Sequence, residues 1–76
     1  MRELVEYLVK SLVEFPDQVV VAEEQRGEVI VLRVSVAASD VGRVIGRRGR
    51  MATAIRNVVG ASAYLQGKRV LVDIDS

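Results

Sequence analysis

Leu4, Val5, Leu8, Leu12 and Val13 recur at the spacing of one helix face, with Glu3, Glu6 and Glu14 between them. The pattern predicts an amphipathic helix over residues 2–14. Pro16 stops it, because a proline pushes the preceding residue out of the α region. The period then changes to two. Residues 18–24, QVVVAEE, read as a strand, residues 25–28, QRGE, as a tight turn, and residues 29–37, VIVLRVSVA, as a longer strand. So short a connection predicts an antiparallel hairpin. Ser39 or Asp40 can cap a short helix running through Ile45. Beyond it, Met51, Ile55, Val58, Val59 and Ser62 or Ala63 share one face of a longer helix that must end by Gly67. Residues 68–74, KRVLVDI, close as a third strand.

The order is therefore α-β-β-α-α-β. Two intervening helices allow the last strand to lie parallel to the central one. The expected fold is α+β, a three-stranded mixed sheet with helices packed on one face, in a single domain over residues 1–76. Alternation places Ile30, Leu32, Val34 and Val36, and likewise Val70, Val72 and Ile74, against the helices. Val29, Val31 and Leu71 fall on the opposite face, more apolar than an uncovered sheet face normally is. This face, or a neighbouring helix surface, is the expected docking place for a second chain.

Composition narrows the chemistry. The chain has 76 residues, half of them apolar, which is enough for one core and too little for two. It has no cysteine and no histidine, so disulfides, thiolate chemistry and the commonest general base are excluded. No apolar run approaches the roughly 18 residues of a membrane span, and the acidic residues of the first helix are foreign to a signal peptide. A cytoplasmic protein is expected. Asp73 and Asp75, two apart on a strand, are the only carboxylates placed to share a metal, and they do not make a full ligand set. The serines have no histidine to activate them. No enzyme activity, cofactor, metal or small-molecule substrate is expected.

Charge divides the chain. Residues 1–40 hold four basic and eight acidic side chains, whereas residues 41–76 hold seven basic and two acidic, with no acid between Val41 and Val72. Such a division suits a face built for a polyanion. Within the basic half, DVGRVIGRRGRMATAIRNVV, residues 40–59, carries three glycines and five arginines. It is no P-loop, since only three residues separate Gly42 from Gly46 and Arg47 follows. A dinucleotide fingerprint would need glycine at Val44 and a preceding strand. What remains is Gly46-Arg47-Arg48-Gly49 joining two helices. Gly46 can end the first helix at positive φ. Gly49 leaves the backbone uncovered, and the next helix, starting near Arg50, directs unpaired amides and partial positive charge at the loop. Arg47 and Arg48 stand at the mouth of this phosphate site, with Arg43 and Arg50 beside it. A purely structural glycine loop in a protein-binding module is the alternative reading. Double-stranded DNA binding is a weaker one, because the second helix offers few donors for base edges.

The segment VIGRRG resembles the I-G-x-x-G core of KH domains, which bind single-stranded RNA or DNA, and the element order resembles their type II arrangement. LVEYLVKSLVEFPDQV at the start and GKRVLVDI at the end also resemble the KhpA family of small bacterial RNA-binding proteins. The resemblance covers nearly the whole chain. It implies that Gly46, Arg47, Arg48 and Gly49 grip the sugar-phosphate backbone of about four nucleotides. Val44 and Ile45 would match the aliphatic pair beside the groove, Ile45 chiefly as core. Only Tyr7, Phe15 and Tyr64 are aromatic, too few for a broad stacking platform. The resemblance further implies a homodimer, pairing with a larger KhpB or Jag-like KH protein, and a role as RNA chaperone and post-transcriptional regulator affecting cell shape.

Overall fold

A computed structural model describes residues 1–74. Helix α1 spans Arg2–Lys10, strand β1 Val20–Arg26, strand β2 Val29–Ser35, helix α2 Val41–Ile45, helix α3 Arg50–Leu65 and strand β3 Arg69–Ile74. Short 3-10 turns occupy Pro16–Gln18, Ala38–Asp40 and Arg47–Gly49. β1 and β2 pair antiparallel with Arg26 opposite Val29, so only Gly27 and Glu28 link them. β3 pairs parallel to β2 in the order β1-β2-β3, leaving β3 at an edge. The mixed three-stranded α+β sheet read from the sequence is the one observed.

Several elements differ in extent, β2 for one ending at Ser35 and not residue 37. α1 stops at Lys10 instead of residue 14, because its end is capped from within: the Ser11 hydroxyl donates to the Leu8 carbonyl at 2.7 Å. The Leu12 amide closes the last turn on the Val9 carbonyl at 3.0 Å, and beyond it the amides of Glu14 and Phe15 donate to Asp40. β1 begins at Val20 and not Gln18, since the amides of Gln18 and Val19 close the Pro16–Gln18 turn on Phe15 and Pro16. α3 continues unbroken through Gly60.

The core lies between the sheet and the helices. Val5 and Val9 of α1, Leu32 and Val34 of β2, Val44 of α2 and Val59 of α3 are fully buried. Leu4, Leu8, Leu12 and Val13 pack around this centre half-buried, so the inner stripe of α1 runs along Val5 and Val9. On α3 the inner stripe is Ala52, Ile55, Val59 and Ala63, which leaves Val58 half exposed. Ile30 and Val36 are partly buried against the same core.

The opposite sheet face is less apolar than the sequence suggested. Val31 is buried there although no helix covers it. It stands between Glu24 and Leu71 across the strands, and Glu24 pairs with Arg26 at 3.1 Å and Arg33 at 3.4 Å. Long charged side chains screen the valine with their stems while keeping their heads in water. Leu71 remains exposed.

Candidate nucleic-acid interface

The glycine loop hangs between α2 and α3, and its base is fastened by Asp40. This carboxylate is completely buried. One oxygen accepts the Glu14 amide and the other the Phe15 amide, each at 3.0 Å, and Arg43 Nε lies 3.6 Å away. Arg43 also reaches Glu14 at 3.3 Å. Asp40 does stand at the N-cap position of α2, yet neither it nor Ser39 caps the helix by its side chain. The expected local cap is instead a clasp between the α1–β1 connection and the start of α2. Its partners are 25 and 26 residues away in the chain, so no local pattern announces it. Asp40→Ala should cost about 2 kcal/mol, the amides losing a charged acceptor, and lower the thermal midpoint by roughly 8–16 °C. Asp40→Asn, which keeps one acceptor oxygen, should recover about half of that in thermal denaturation.

Gly46 ends α2 by donating its amide to the Gly42 carbonyl at 2.9 Å. Its φ of 77° and ψ of 172° lie in a region open essentially to glycine alone. A Cβ there would stand 2.6 Å from Met51 Cβ and 2.8 Å from Met51 N, so the first turn of α3 crosses directly over it. Gly49, at φ 73°, faces open space. Between them Arg48 adopts φ 57° and ψ 27°, a left-handed conformation that costs a non-glycine residue on the order of 1–2 kcal/mol. It throws the guanidinium outward from a tight turn. The Gly49 amide is satisfied by the Gly46 carbonyl at 3.1 Å and the Arg50 amide by Arg47. Among the described residues, the amides of Arg47 and Arg48 therefore stay without a backbone acceptor. Uncovered donors are present in the loop, at two positions and not all four.

A family model described as KhpA/KhpB, KH domain, matches residues 2–74. The chain belongs to the KhpA/KhpB KH-domain family. The RNA-binding protein KhpA of Clostridium acetobutylicum is 47% identical over 74 residues, covering 97% of this chain and 99% of that one. Its namesake in Bacillus subtilis is 40% identical, covering 97% and 91%. Among solved structures, Era bound to MgGDPNP and nucleotides 1506–1542 of 16S ribosomal RNA superposes with a TM-score of 0.67 at 16% identity. The match covers 96% of this chain and 28% of the Era chain, and Era from Aquifex aeolicus bound to GDP and aluminium fluoride gives 0.66 over the same shares. These likenesses concern the fold.

Within this KhpA/KhpB-type fold, ion pairing separates two sets of cations. Arg2, Lys10, Arg26, Arg33 and Arg43 all pair with carboxylates. Among the described residues, Arg47, Arg48, Arg50, Arg56, Lys68 and Arg69 pair with none, and all six are exposed. The sequence-predicted set thus divides. Gly46, Arg47, Arg48, Gly49 and Arg50 come together at the loop. Arg43 is beside it but engaged by Glu14 and Asp40. Val44 is fully buried in the core, which removes its side chain from any groove, and Ile45 is half-buried against the same core. Arg56, which sequence reasoning passed over, donates Nε to the Val72 carbonyl at 3.2 Å on the edge strand. Its membership of the acid-free half was the one available signal.

Two clefts flank α3. Toward α1, Leu8, Leu12, Met51, Ile55 and Val58 line an almost wholly apolar groove of about 140 Å³. Toward β3 the boundary is cationic, with Arg56, Lys68 and Arg69. Asp75, weighed with Asp73 as a metal pair, lies outside the described residues, among which no cluster of three or more metal-ligating side chains occurs. No helix among them is long and apolar enough to cross a membrane.

Proposed function

We propose that the chain binds single-stranded RNA at the Gly46-Arg47-Arg48-Gly49 loop, with Arg50 beside it, and acts on cytoplasmic transcripts as a chaperone and post-transcriptional regulator. The observation that carries this reading is the segregation of cations: among the described residues six guanidinium or ammonium groups pair with no carboxylate, two of them on a loop with uncovered amides. Unpaired cations held around bare donors favour a phosphate chain over a protein surface, because a polyanion releases its counterions when it docks. The relatives' names as RNA-binding proteins support it. Arg43 contributes by fixing the loop's base and Ile45 by packing beneath it. Titration with a single-stranded oligoribonucleotide at low salt tests the site. The amide resonances of Arg47, Arg48 and Gly49 should move first, and a titration that leaves them in place removes the reading in favour of a structural glycine loop.

A second copy, or the KH domain of a KhpB-like partner, belongs in the apolar groove between α1 and α3. Val58, 50% exposed, enlarges that surface, and it lies off the cationic side, so dimerisation and RNA binding need not compete. One loop holds few phosphates, and two loops in one dimer raise avidity through effective concentration. Val58→Asp should shift the mass in light scattering from dimer to monomer, with the thermal midpoint of the monomer preserved. A monomer mass for the unsubstituted protein would count against the dimer.

A further inference from the structure

Resting on the reading that the loop holds RNA, we propose a second RNA subsite at the far end of α3, where Tyr64 stacks a base and Lys68 and Arg69 hold its flanking phosphates. An open cleft of about 450 Å³ lies there, lined by Val29, Gly60, Tyr64, Lys68, Arg69 and Leu71 among others. Tyr64 is 82% exposed, so most of its ring faces solvent. Gly60, one turn before it, presents no side chain, and a Cβ at that position would meet nothing within 4 Å. The space a side chain would have taken is therefore open beside the ring. Lys68 and Arg69 form no ion pair among the described residues, and Glu28, next to Val29 in the hairpin turn, engages neither.

Placement joins this cleft to the loop. Arg56, Gly60 and Tyr64 are spaced four apart and so form one stripe along α3. Arg56 is tied to Val72 of β3, which sets that stripe along the edge-strand side of the helix. From Arg47 and Arg48 past Arg56 to Tyr64, then Lys68 and Arg69, unpaired cations mark a track about 24 Å long, the length of the 16-residue helix. The opposite groove of α3 is uncharged. Asp73, the nearest described carboxylate on β3, alternates to the other sheet face, opposite Arg33. Charge thus directs a strand leaving the loop along the β3 side and onto the ring.

A KH loop holds about four nucleotides, so the test compares oligouridylate tetramer and octamer. Tyr64→Ala should weaken the octamer about fivefold, the lower end of what stacking on an aromatic contributes, and leave the tetramer unchanged. Tyr64→Phe should restore the octamer affinity, since the ring and not the hydroxyl carries the contact. Lys68→Gln with Arg69→Gln should make the salt dependence shallower for the octamer alone. Octamer affinity indifferent to Tyr64→Ala overturns the subsite, and so does equal loss for both lengths. Arg47→Asp with Arg48→Asp reports separately on the loop: both lengths should fail, and if neither does, the loop reading falls whatever Tyr64 does.

Discussion

Affinity for single-stranded RNA should fall at least about a hundredfold when Arg47 and Arg48 are both replaced by aspartate. Each charge-assisted contact is worth about 1.5–3 kcal/mol, so losing two amounts to roughly 3–6 kcal/mol before the added repulsion is counted. Stability should scarcely change, with the thermal midpoint staying within a few degrees. Both side chains are exposed and pair with no carboxylate among the described residues. Removing the left-handed arginine does not relieve the turn, because aspartate keeps a Cβ at position 48. The salt dependence should lessen too: each phosphate contact on a single strand contributes about 0.7 to the slope of log affinity against log salt, so the slope should shrink by about 1.4. Fluorescence anisotropy at several salt concentrations, beside a thermal melt, reads all three quantities. Equal loss of affinity and stability would make the loop a structural element.

Gly46→Ala should do the reverse and damage the fold first. The methyl group meets Met51 Cβ and N, which are backbone-borne atoms of α3 and not the yielding tip of a side chain. It must also adopt a backbone conformation that costs of order 1–3 kcal/mol outside glycine. Together these amount to about 4 kcal/mol, a large part of the roughly 4–11 kcal/mol expected of a domain this size. The thermal midpoint should drop by about 20 °C. Gly49→Ala provides the contrast: the same sign of φ but open space around it, so the loss should be about 1–2 kcal/mol. Urea denaturation of the two variants in parallel measures the difference. Equal midpoints would mean that the crossing of Met51 over Gly46 has no energetic weight.

Much of this was legible along the chain, and the exceptions have a common cause. The element order, the hairpin and the parallel return of β3 follow from switches in hydrophobic period and from Pro16, Gly46 and Gly67. The helix face was slightly misplaced on α1 and α3, because adjacent valines and leucines satisfy the same period and only packing chooses between them. Val5 went inward as expected, but so did Val9, and Val58 went outward. Val44 looked like a groove residue beside Ile45 and proved to be core. Arg43 looked like a phosphate ligand and is held by Glu14 and Asp40.

Local spacing therefore determined the elements, their order and the position of the glycine-arginine loop, since period, capping and backbone freedom act over a few residues. Tertiary structure alone decided which cations are free and which carboxylate fastens the loop. It also decided that the stripe carrying Arg56 and Tyr64 faces β3. Those properties depend on groups far apart in sequence meeting across the fold, and a charge is neutralised by whatever lies near it in space.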